Sequence, residues 1–214
     1  MRKPTDLRQK VLDASLALIE EGGLDRLSMR EVARKAGVSH QAPYHYFADR
    51  EAILAGIASD GFGMLQQELA RSLDKQAASQ KSAIEAVART YVDFALHHPG
   101  YFRVMFRSDA VPIEDHPEAL HNADAAFGEL VQAINRSFAS ERAEARRTLA
   151  FACWGFVHGL ATLLLDGPLA RRSGTSKGRQ GELADKVIKS FVAHFNTDET
   201  SADRKVRRRR SGSP

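Results

Sequence analysis

Apolar residues recur every three or four positions along most of this 214-residue chain, which is the spacing of a helix with one buried face. The longest such run keeps this spacing over five turns and comprises Leu120, Ala123, Phe127, Leu130, Val131, Ile134 and Phe138. Strict alternation of apolar and polar residues, the pattern of a half-buried strand, persists nowhere in the sequence. The chain is therefore predicted to be all-α.

Capping residues and helix breakers divide this pattern into about nine helices. Ser28 precedes Glu31 by three residues and Ser82 precedes Glu85 by three, the spacing of a capping box. Asp49 is placed to cap a helix that runs to about Leu73. Further helices are expected from Pro117 and over residues 141–165, and a flexible loop over residues 171–181. The last helix is predicted to be amphipathic, with Val187, Ile188, Phe191 and Phe195 on one side.

Composition limits the class of protein. Cys153 is the one cysteine, so neither an internal disulfide nor a multi-cysteine zinc site is possible. No apolar leader follows the N-terminus, and the apolar run over residues 151–165 is short of a membrane span and contains His158. We therefore expect a cytoplasmic protein that does not contact a membrane.

The net charge of +4 is concentrated at the C-terminus. Residues 198–214 hold six Arg or Lys and three Asp or Glu. This segment has no apolar positions in a helical pattern, so it is predicted to be a disordered basic tail. Residues 1–50 are predicted to form a helix-turn-helix domain and residues 51–197 a larger helical domain.

The stretch VSHQAPYHYF, residues 38–47, combines polar aromatic residues with a proline inside a predicted helix capped by Ser39. Pro43 would be its fourth helical residue, where proline removes only the first intrahelical hydrogen bond. Two short helices joined by a glycine turn, the second rich in exposed polar groups, are typical of a helix-turn-helix that places its second helix in the major groove.

These residues carry a family resemblance. The segment GLDRLSMREVARKAGVSHQAPYHYFADREAIL resembles the DNA-binding domain of the tetracycline-repressor-like (TetR/AcrR) transcriptional regulators. Downstream, YVDFALHHPGYFRVMF and WGFVHGLATLLLDG resemble the C-terminal domain of the WHG subgroup. Arg50 stands where the family commonly has lysine, and Pro43 replaces its usual Leu or Phe. The resemblance implies a ligand-responsive regulator, more often a repressor, without a cofactor, that binds double-stranded DNA as a homodimer.

The resemblance also implies which residues contact DNA. Gln41 is expected to pair with adenine and Ala42 to touch a thymine methyl group, while Phe47 is expected in the small core. The DNA-contacting set is Ser28, Arg30, Ser39, His40, Gln41, Ala42, Tyr44, His45, Tyr46 and Arg50.

The larger domain is predicted to sense a ligand and to dimerise. A cavity for a small apolar or aromatic effector is expected among Tyr91, Phe94, Phe102, Met105, Phe127, Trp154 and His158, although ordinary core packing is the favoured explanation for any one of the aromatic residues or Met105 alone. His158 is explained equally well as a core histidine bonded to a backbone carbonyl.

The helix over FACWGFVHGLATLLL is apolar all round, which predicts that it packs on its own domain and on a second subunit. The expected dimer interface comprises Gly155, Gly159, Leu163, Val187 and Phe191. Gly61 and Gly63, inside the helix that links the two domains, indicate a bend or a close contact.

Two other function classes were weighed. His116 and His121, beside Asp115 and Glu118, lack the spacing of a metalloprotease helix, and Cys153 lies among apolar neighbours rather than activating groups. No catalytic or metal-binding residues are therefore predicted. The alternative is a sequence-nonspecific DNA-binding protein that uses its basic tail.

Overall fold

The computed structural model describes residues 4–76 and 83–193, except for the side chains of residues 4–6, 76 and 177. Within these ranges the fold is all-α, as predicted, and contains no strand. Nine α-helices occur there: α1 (Pro4–Gly22), α2 (Met29–Ala36), α3 (Arg50–Gln76), α4 (Ala83–His97), α5 (Pro99–Met105), α6 (Pro117–Ser137), α7 (Ala143–Leu165), α8 (Pro168–Ser173) and α9 (residues 180–193). Single 3-10 turns lie at Leu24–Arg26, Pro43–His45, Ile113–Asp115 and Lys177–Arg179.

Of the four predicted caps, Ser28, Ser39 and Asp49 lie within the described residues. Ser28 and Asp49 cap their helices, whereas Ser39 precedes 3-10 turns instead of the predicted helix. The amide of Glu31 donates to Ser28 Oγ at 3.2 Å, and the amide of Ala52 donates to Asp49 Oδ1 at 2.8 Å. Each side chain thereby satisfies one of the amides that have no partner inside a helix. The fourth predicted cap, Ser82, lies outside the described residues, as do Phe195 and the basic tail.

Two local predictions were wrong. The third predicted helix is not an α-helix but a pair of turns, as detailed below. Residues 171–181, expected to be a flexible loop, contain the end of α8 and a 3-10 turn. Gly174 ends α8 in the left-handed conformation with φ 66°, which glycine adopts at no steric cost. Two short helical pieces were missed because neither is long enough to show helical periodicity.

The described chain forms two compact units. One consists of the described residues among 1–71 and 94–129, and the other of those among 72–93 and 130–214. The small domain lies within the first unit, where Phe47 packs against α1 and α3. A Cβ added at Gly56 of α3 would lie 3.1 Å from Phe47 Cε1 and 3.3 Å from Leu12 Cδ2. The predicted domain boundary at residue 50 does not coincide with a boundary of either unit. It stays a prediction about which residues form the DNA-binding domain.

The helix α5 lies unusually close to two elements of the same unit. A Cβ added at Gly61 of α3 would lie 2.7 Å from Met105 Sδ on α5. A Cβ added at Gly100 of α5 would lie 2.7 Å from Glu20 Oε1 and 2.9 Å from Leu16 Cδ1, both on α1. Gly61 was expected to mark either a bend or a close contact, and the structure shows the close contact. α3 continues through Gly61 as one helix.

α7 is long and apolar, yet its own chain covers only one side of it. Ala150, Cys153, Val157, Leu160, Ala161 and Leu164 are buried. Phe151, Trp154 and Leu163 are 48%, 40% and 47% exposed. Among residues 4–76 and 83–193, α7 is the one helix whose length and composition would allow it to cross a membrane, and 33% of its most apolar window is buried.

The glycines of α3 provide a matched pair of substitutions. Gly63→Ala is expected to raise the free energy of unfolding by about 0.5–1 kcal/mol, because alanine favours a helix and the nearest atom to its Cβ, Asn122 Nδ2, would lie at 3.6 Å. Gly61→Ala is expected to lower it by about 1–3 kcal/mol, because it overpacks against buried Met105. Urea unfolding measures both, and equal effects of the two substitutions would contradict the close packing of α5 on α3.

Candidate DNA-binding surface and sensor unit

The turn between α2 and the recognition segment is built by Gly37. This glycine ends α2 with φ 66° and ψ 38°, and the amide of Val38 donates to the carbonyl of Ala33 at 3.1 Å. The left-handed glycine satisfies the last carbonyls of α2 and reverses the chain direction. Residues 39–46, here called the recognition segment, follow directly.

The recognition segment consists of 3-10 turns instead of the predicted α-helix. The amides of Ala42, Tyr44, His45 and Tyr46 each donate to the carbonyl three residues earlier, at 3.0–3.3 Å. Pro43 lies at the first position of the 3-10 helix Pro43–His45 and is buried. Proline has no amide hydrogen and its fixed φ suits a helix start, so Pro43 can begin the last turn. Its buried ring also fills a position in the core.

Most of the predicted DNA-contacting side chains lie at the surface. Tyr44 and Tyr46 are 44% and 37% exposed, and the His40 and Tyr44 rings lie together with centroids 6.0 Å apart. The other exposed members of the set are Ser28, Arg30, Ser39, His40, Gln41 and His45. These exposed side chains are therefore available to contact a partner.

Ala42 departs from the expectation. It is only 7% exposed, so its methyl group packs into the small domain rather than standing at the surface beside Gln41. Ala42 and the next residue, Pro43, are both buried, so this part of the segment faces the small core. The expected thymine contact of Ala42 depended on α-helical geometry that the segment does not have.

Arg50 is engaged within the protein. Its Nε donates to the carbonyl of Leu27 at 3.1 Å and one Nη donates to the carbonyl of Leu24 at 2.9 Å. These two bonds tie the first turn of α3 to the chain just before α2. A guanidinium holds five donors in a fixed plane, so it binds two carbonyls at once, which a lysine in this place would do poorly.

Charges at α2 favour an anion near its first turn. Ser28 caps the helix and Arg30 is exposed within that turn, where amides and the helix dipole attract a phosphate. Glu31 lies there too, but Arg34 Nη2 contacts its Oε2 at 2.6 Å. This hydrogen bond with Arg34 holds the pKa of Glu31 below its ordinary value, and Lys35 pairs with Glu21 of α1 at 2.6 Å.

The predicted effector-pocket residues divide between the two compact units. Phe94, Phe102 and Met105 are buried in the first unit, where Phe102 and Phe106 lie with ring centroids 5.1 Å apart. Phe127 in that unit is half-buried. Tyr91, Trp154 and His158 belong to the second unit. The structure brings the latter three together by hydrogen bonds.

Tyr91 is the centre of this hydrogen-bonded group. Its hydroxyl lies 3.0 Å from His158 Nδ1 and also hydrogen-bonds the Trp154 side chain. An indole N–H can only donate, so the Tyr91 oxygen accepts from Trp154. The Tyr91 hydroxyl and His158 Nδ1 form the second hydrogen bond of the group.

Burial sets the protonation of this group. Desolvation raises the pKa of Tyr91 and lowers the pKa of His158, because burial disfavours the charged form of either side chain. Burial likewise raises the pKa of the Cys153 thiol to about 11. At neutral pH these residues offer uncharged hydrogen-bonding groups within an apolar unit.

A groove of about 440 Å³ lies between α7 and α9, lined by Phe156, Lys186, Val187, Ser190 and Phe191. The rings of Phe156 and Phe191 stack at 3.6 Å with an angle of 4° between their planes. Val187 and Phe191 belong to the predicted dimer interface. The sequence pattern did not indicate Phe151 or Phe156 as interface residues. The spacing could have indicated Phe151, because it precedes Gly155 by four residues, the same interval that separates Gly155 from Gly159, and residues four apart lie on one side of a helix.

One of the two histidines considered for a metal or acid–base site, His116, has another partner. His116 Nε2 lies 3.1 Å from Glu51 Oε1, which joins the residue before α6 to the first turn of α3. Among the residues the structure describes, no group of three or more His, Cys, Asp or Glu is placed to hold a metal ion.

Sequence families match both parts of the chain. The pattern of the bacterial regulatory proteins of the tetR family matches residues 11–57, which include the whole recognition segment. The pattern of the tetracyclin repressor-like C-terminal domain matches residues 84–191, half of the chain. The chain belongs to the TetR family. TetR-family regulators bind DNA and are not enzymes, so this protein is a DNA-binding transcriptional regulator.

Individual relatives agree with this assignment. An uncharacterized HTH-type transcriptional regulator, YobS of Bacillus subtilis (strain 168), is 30% identical over 97 residues, which are 45% of this chain and half the length of that relative. A protein of unknown function from Rhodococcus sp. RHA1 is 29% identical, with a TM-score of 0.68 over 85% of this chain and 93% of its own. The TetR family regulator PfmR of Thermus thermophilus, 17% identical, shares the fold with a TM-score of 0.60 over 84% and 94% of the two chains.

The depressed pKa of His158 makes a prediction about acid stability. A folded pKa below the unfolded value of about 6.5 means that the unfolded chain takes up the proton first, so stability falls as pH falls below about 6.5. His158→Gln removes this titration while keeping an acceptor for the Tyr91 hydroxyl. Between pH 7.5 and 5.5, the wild type is expected to lose more stability in urea unfolding than the variant. Equal losses would show that His158 is not buried as a neutral ring.

Proposed function

We propose that this TetR-family protein is a repressor that binds a pseudo-palindromic operator as a homodimer and is released by a small apolar or aromatic effector in the cytoplasm. The observation that carries the proposal is the exposed recognition segment, which follows the glycine turn after α2 and displays His40, Gln41 and two tyrosines. The family assignment supports DNA binding, and the finer statements rest on the arguments that follow.

DNA recognition divides between two places. Ser28 and Arg30 at the first turn of α2 would contact phosphates, since helix amides and the Arg30 guanidinium both favour an anion there. In the recognition segment, Gln41 offers the paired donor and acceptor that match adenine in the major groove. Tyr44, His45 and Tyr46 would contact both bases and backbone. Ala42 and Arg50 would stabilise the domain instead of contacting DNA. Ala42 is buried, and Arg50 donates to the carbonyls of Leu24 and Leu27.

The charge of the small domain and the surface of α7 support the proposed homodimer. Residues 1–48 hold eight Arg or Lys and six Asp or Glu, a small excess for a protein that binds a polyanion. Two copies would double the phosphate contacts. α7 leaves Phe151, Trp154 and Leu163 exposed along one side, and an apolar patch of this kind on a soluble chain marks an interaction surface.

Release by an effector would act through α5. This short helix packs closely against α3 at Gly61 and against α1 at Gly100, where an added Cβ would lie 2.7 Å from Met105 Sδ and from Glu20 Oε1, respectively. A ligand that displaces α5 would thereby act on the helices that carry the recognition segment. The effector has to bind the DNA-incompetent arrangement more tightly, since a ligand with equal affinity for both would shift nothing.

The proposal is tested by selecting bound fragments from randomised DNA with the full chain and with a chain ending at residue 197. We expect both to enrich a pseudo-palindrome with half-sites about 34–36 Å apart or a multiple of this spacing. On the selected duplex, Arg30→Ala and Tyr44→Ala are each expected to weaken binding by roughly 1–3 kcal/mol. Arg172→Ala is the control, because it removes the same charge as Arg30→Ala from an exposed position on α8, and it is expected to leave binding unchanged.

The alternative is a sequence-nonspecific binder that uses the basic tail. It predicts binding without enrichment, and binding only when residues 198–214 are present. Either result would contradict the proposed function.

A further inference from the structure

The recognition segment is joined to α3 by a very short link. Residues 47–49 alone separate Tyr46 from the first residue of α3. Phe47 is buried, and Asp49 caps α3 by accepting from the amide of Ala52 at 2.8 Å. A link of three residues, of which one is buried and another caps the helix, has little freedom of its own. The place of the recognition segment therefore follows the place of the first turn of α3.

Two side chains of that turn hold it to different parts of the first unit. Arg50 donates to the carbonyls of Leu24 and Leu27, which precede α2. Oε1 of the next residue, Glu51, lies 3.1 Å from Nε2 of His116, the residue immediately before α6. An ionised carboxylate can only accept, so this bond forms with a neutral histidine ring as well as with a charged one. The turn is thus fastened to the small domain on one side and to the start of α6 on the other.

α6 is itself held in register along α3. Asn122 Nδ2 donates to the carbonyl oxygen and to the hydroxyl oxygen of Ser59, at 3.1 and 3.0 Å. Seven residues further along both helices, Gln66 Nε2 donates to Glu129 Oε1 at 2.8 Å, so the two helices run parallel. Ser59 is 3% exposed, and a shift of α6 along α3 would break a buried hydrogen bond, which is costly. His116 therefore belongs to a helix whose position on α3 is fixed.

We propose that His116 is a positioning residue for DNA binding, although it lies outside the helix-turn-helix. Through Glu51 it holds the first turn of α3, and with it the recognition segment, in one position relative to α6. The proposal rests on the proposed function and adds a residue that acts through another side chain instead of touching the DNA. Without His116, the segment would sample orientations that do not match the groove, and ordering it on binding would cost affinity.

An ordinary surface pair is the alternative explanation for this contact. The side chains of His116 and Glu51 are 26% and 50% exposed, and pairs at such exposure contribute little to global stability. This pair differs in its place, because it joins the turn that follows the recognition segment to a helix in fixed register. Its small contribution to global stability also means that its loss can change DNA binding without unfolding the chain.

Operator binding by the full chain tests the proposal, with the duplex that the wild type selects. His116→Ala is expected to weaken binding roughly 3- to 10-fold, within the range for side chains that act through a contact network without touching the ligand. The midpoint of urea unfolding is expected to stay near that of the wild type. His121→Ala is the matched control, because it removes the same side chain from an exposed position on α6, and it is expected to leave binding unchanged.

Two further readouts separate positioning from a direct contact. His116→Gln places an amide donor close to the position of Nε2, so it is expected to restore binding to within about twofold of the wild type. The slope of log Kd against log salt concentration is expected to be the same in the wild type and in His116→Ala, because no phosphate contact is lost. A shallower slope in His116→Ala would mean that His116 contacts a phosphate itself, and it would overturn the positioning role.

A double-mutant cycle tests whether His116 acts through Glu51. Glu51→Ala changes the charge of the first turn of α3, but this change is present on both sides of the comparison and cancels. In the Glu51→Ala background, His116→Ala is expected to have no further effect on the operator Kd. A loss as large as in the wild-type background would mean that the two side chains act independently, which contradicts the proposal.

Failure of this inference is distinguishable from failure of the proposed function. If the wild type enriches an operator and His116→Ala binds it as tightly, the inference is overturned and the proposed function stands. A wild-type chain that enriches no operator would overturn both.

Discussion

The position of the recognition segment depends on the burial of two residues, Pro43 and Phe47. The segment is too short and too tightly turned to be stable alone, since 3-10 turns have poorer hydrogen-bond geometry than an α-helix. Phe47 is 5% exposed and packs between α1 and α3, with the Arg8 guanidinium 5.6 Å from its ring centroid. These two anchors hold the backbone while the intervening tyrosine and histidine side chains face outward. The surface proposed to bind DNA is thus positioned by the packing of the small core.

Periodicity and capping sufficed to predict the architecture. The helix ends at Ser28 and Asp49 follow from side chains that bond to amides three residues away, which is information local to the sequence. The same reasoning failed for the recognition segment, because Pro43 fits an α-helix start and a 3-10 turn equally well. The burial of Ala42 depends on the closed core, and the inward bonds of Arg50 depend on the carbonyls of Leu24 and Leu27, which no local pattern brings near. Aromatic character was the basis for predicting the pocket residues. It does not distinguish aromatic residues in the core of the first unit from those that hydrogen-bond around Tyr91 in the second unit.

The apolar composition of α7 is compatible with two different environments. Its apolar composition predicted burial on all sides, and its own chain buries only one of them. The remaining side holds Phe151, Trp154 and Leu163 at the surface, together with glycines that the fold of a single copy does not require. A membrane span and a subunit interface share this composition. The homodimer proposed above assigns the exposed side to a subunit interface.

Hydrogen exchange of the full chain, alone and bound to its selected duplex, tests most directly the claim that the recognition segment and the first turn of α2 contact DNA. We expect slowed exchange on binding at the amides of residues 28–31 and 39–46, Pro43 excepted because it has no amide hydrogen. No comparable change is expected over the exposed basic residues 171–179. Protection confined to those residues or to residues 198–214, with the recognition segment unaffected, would contradict the claim.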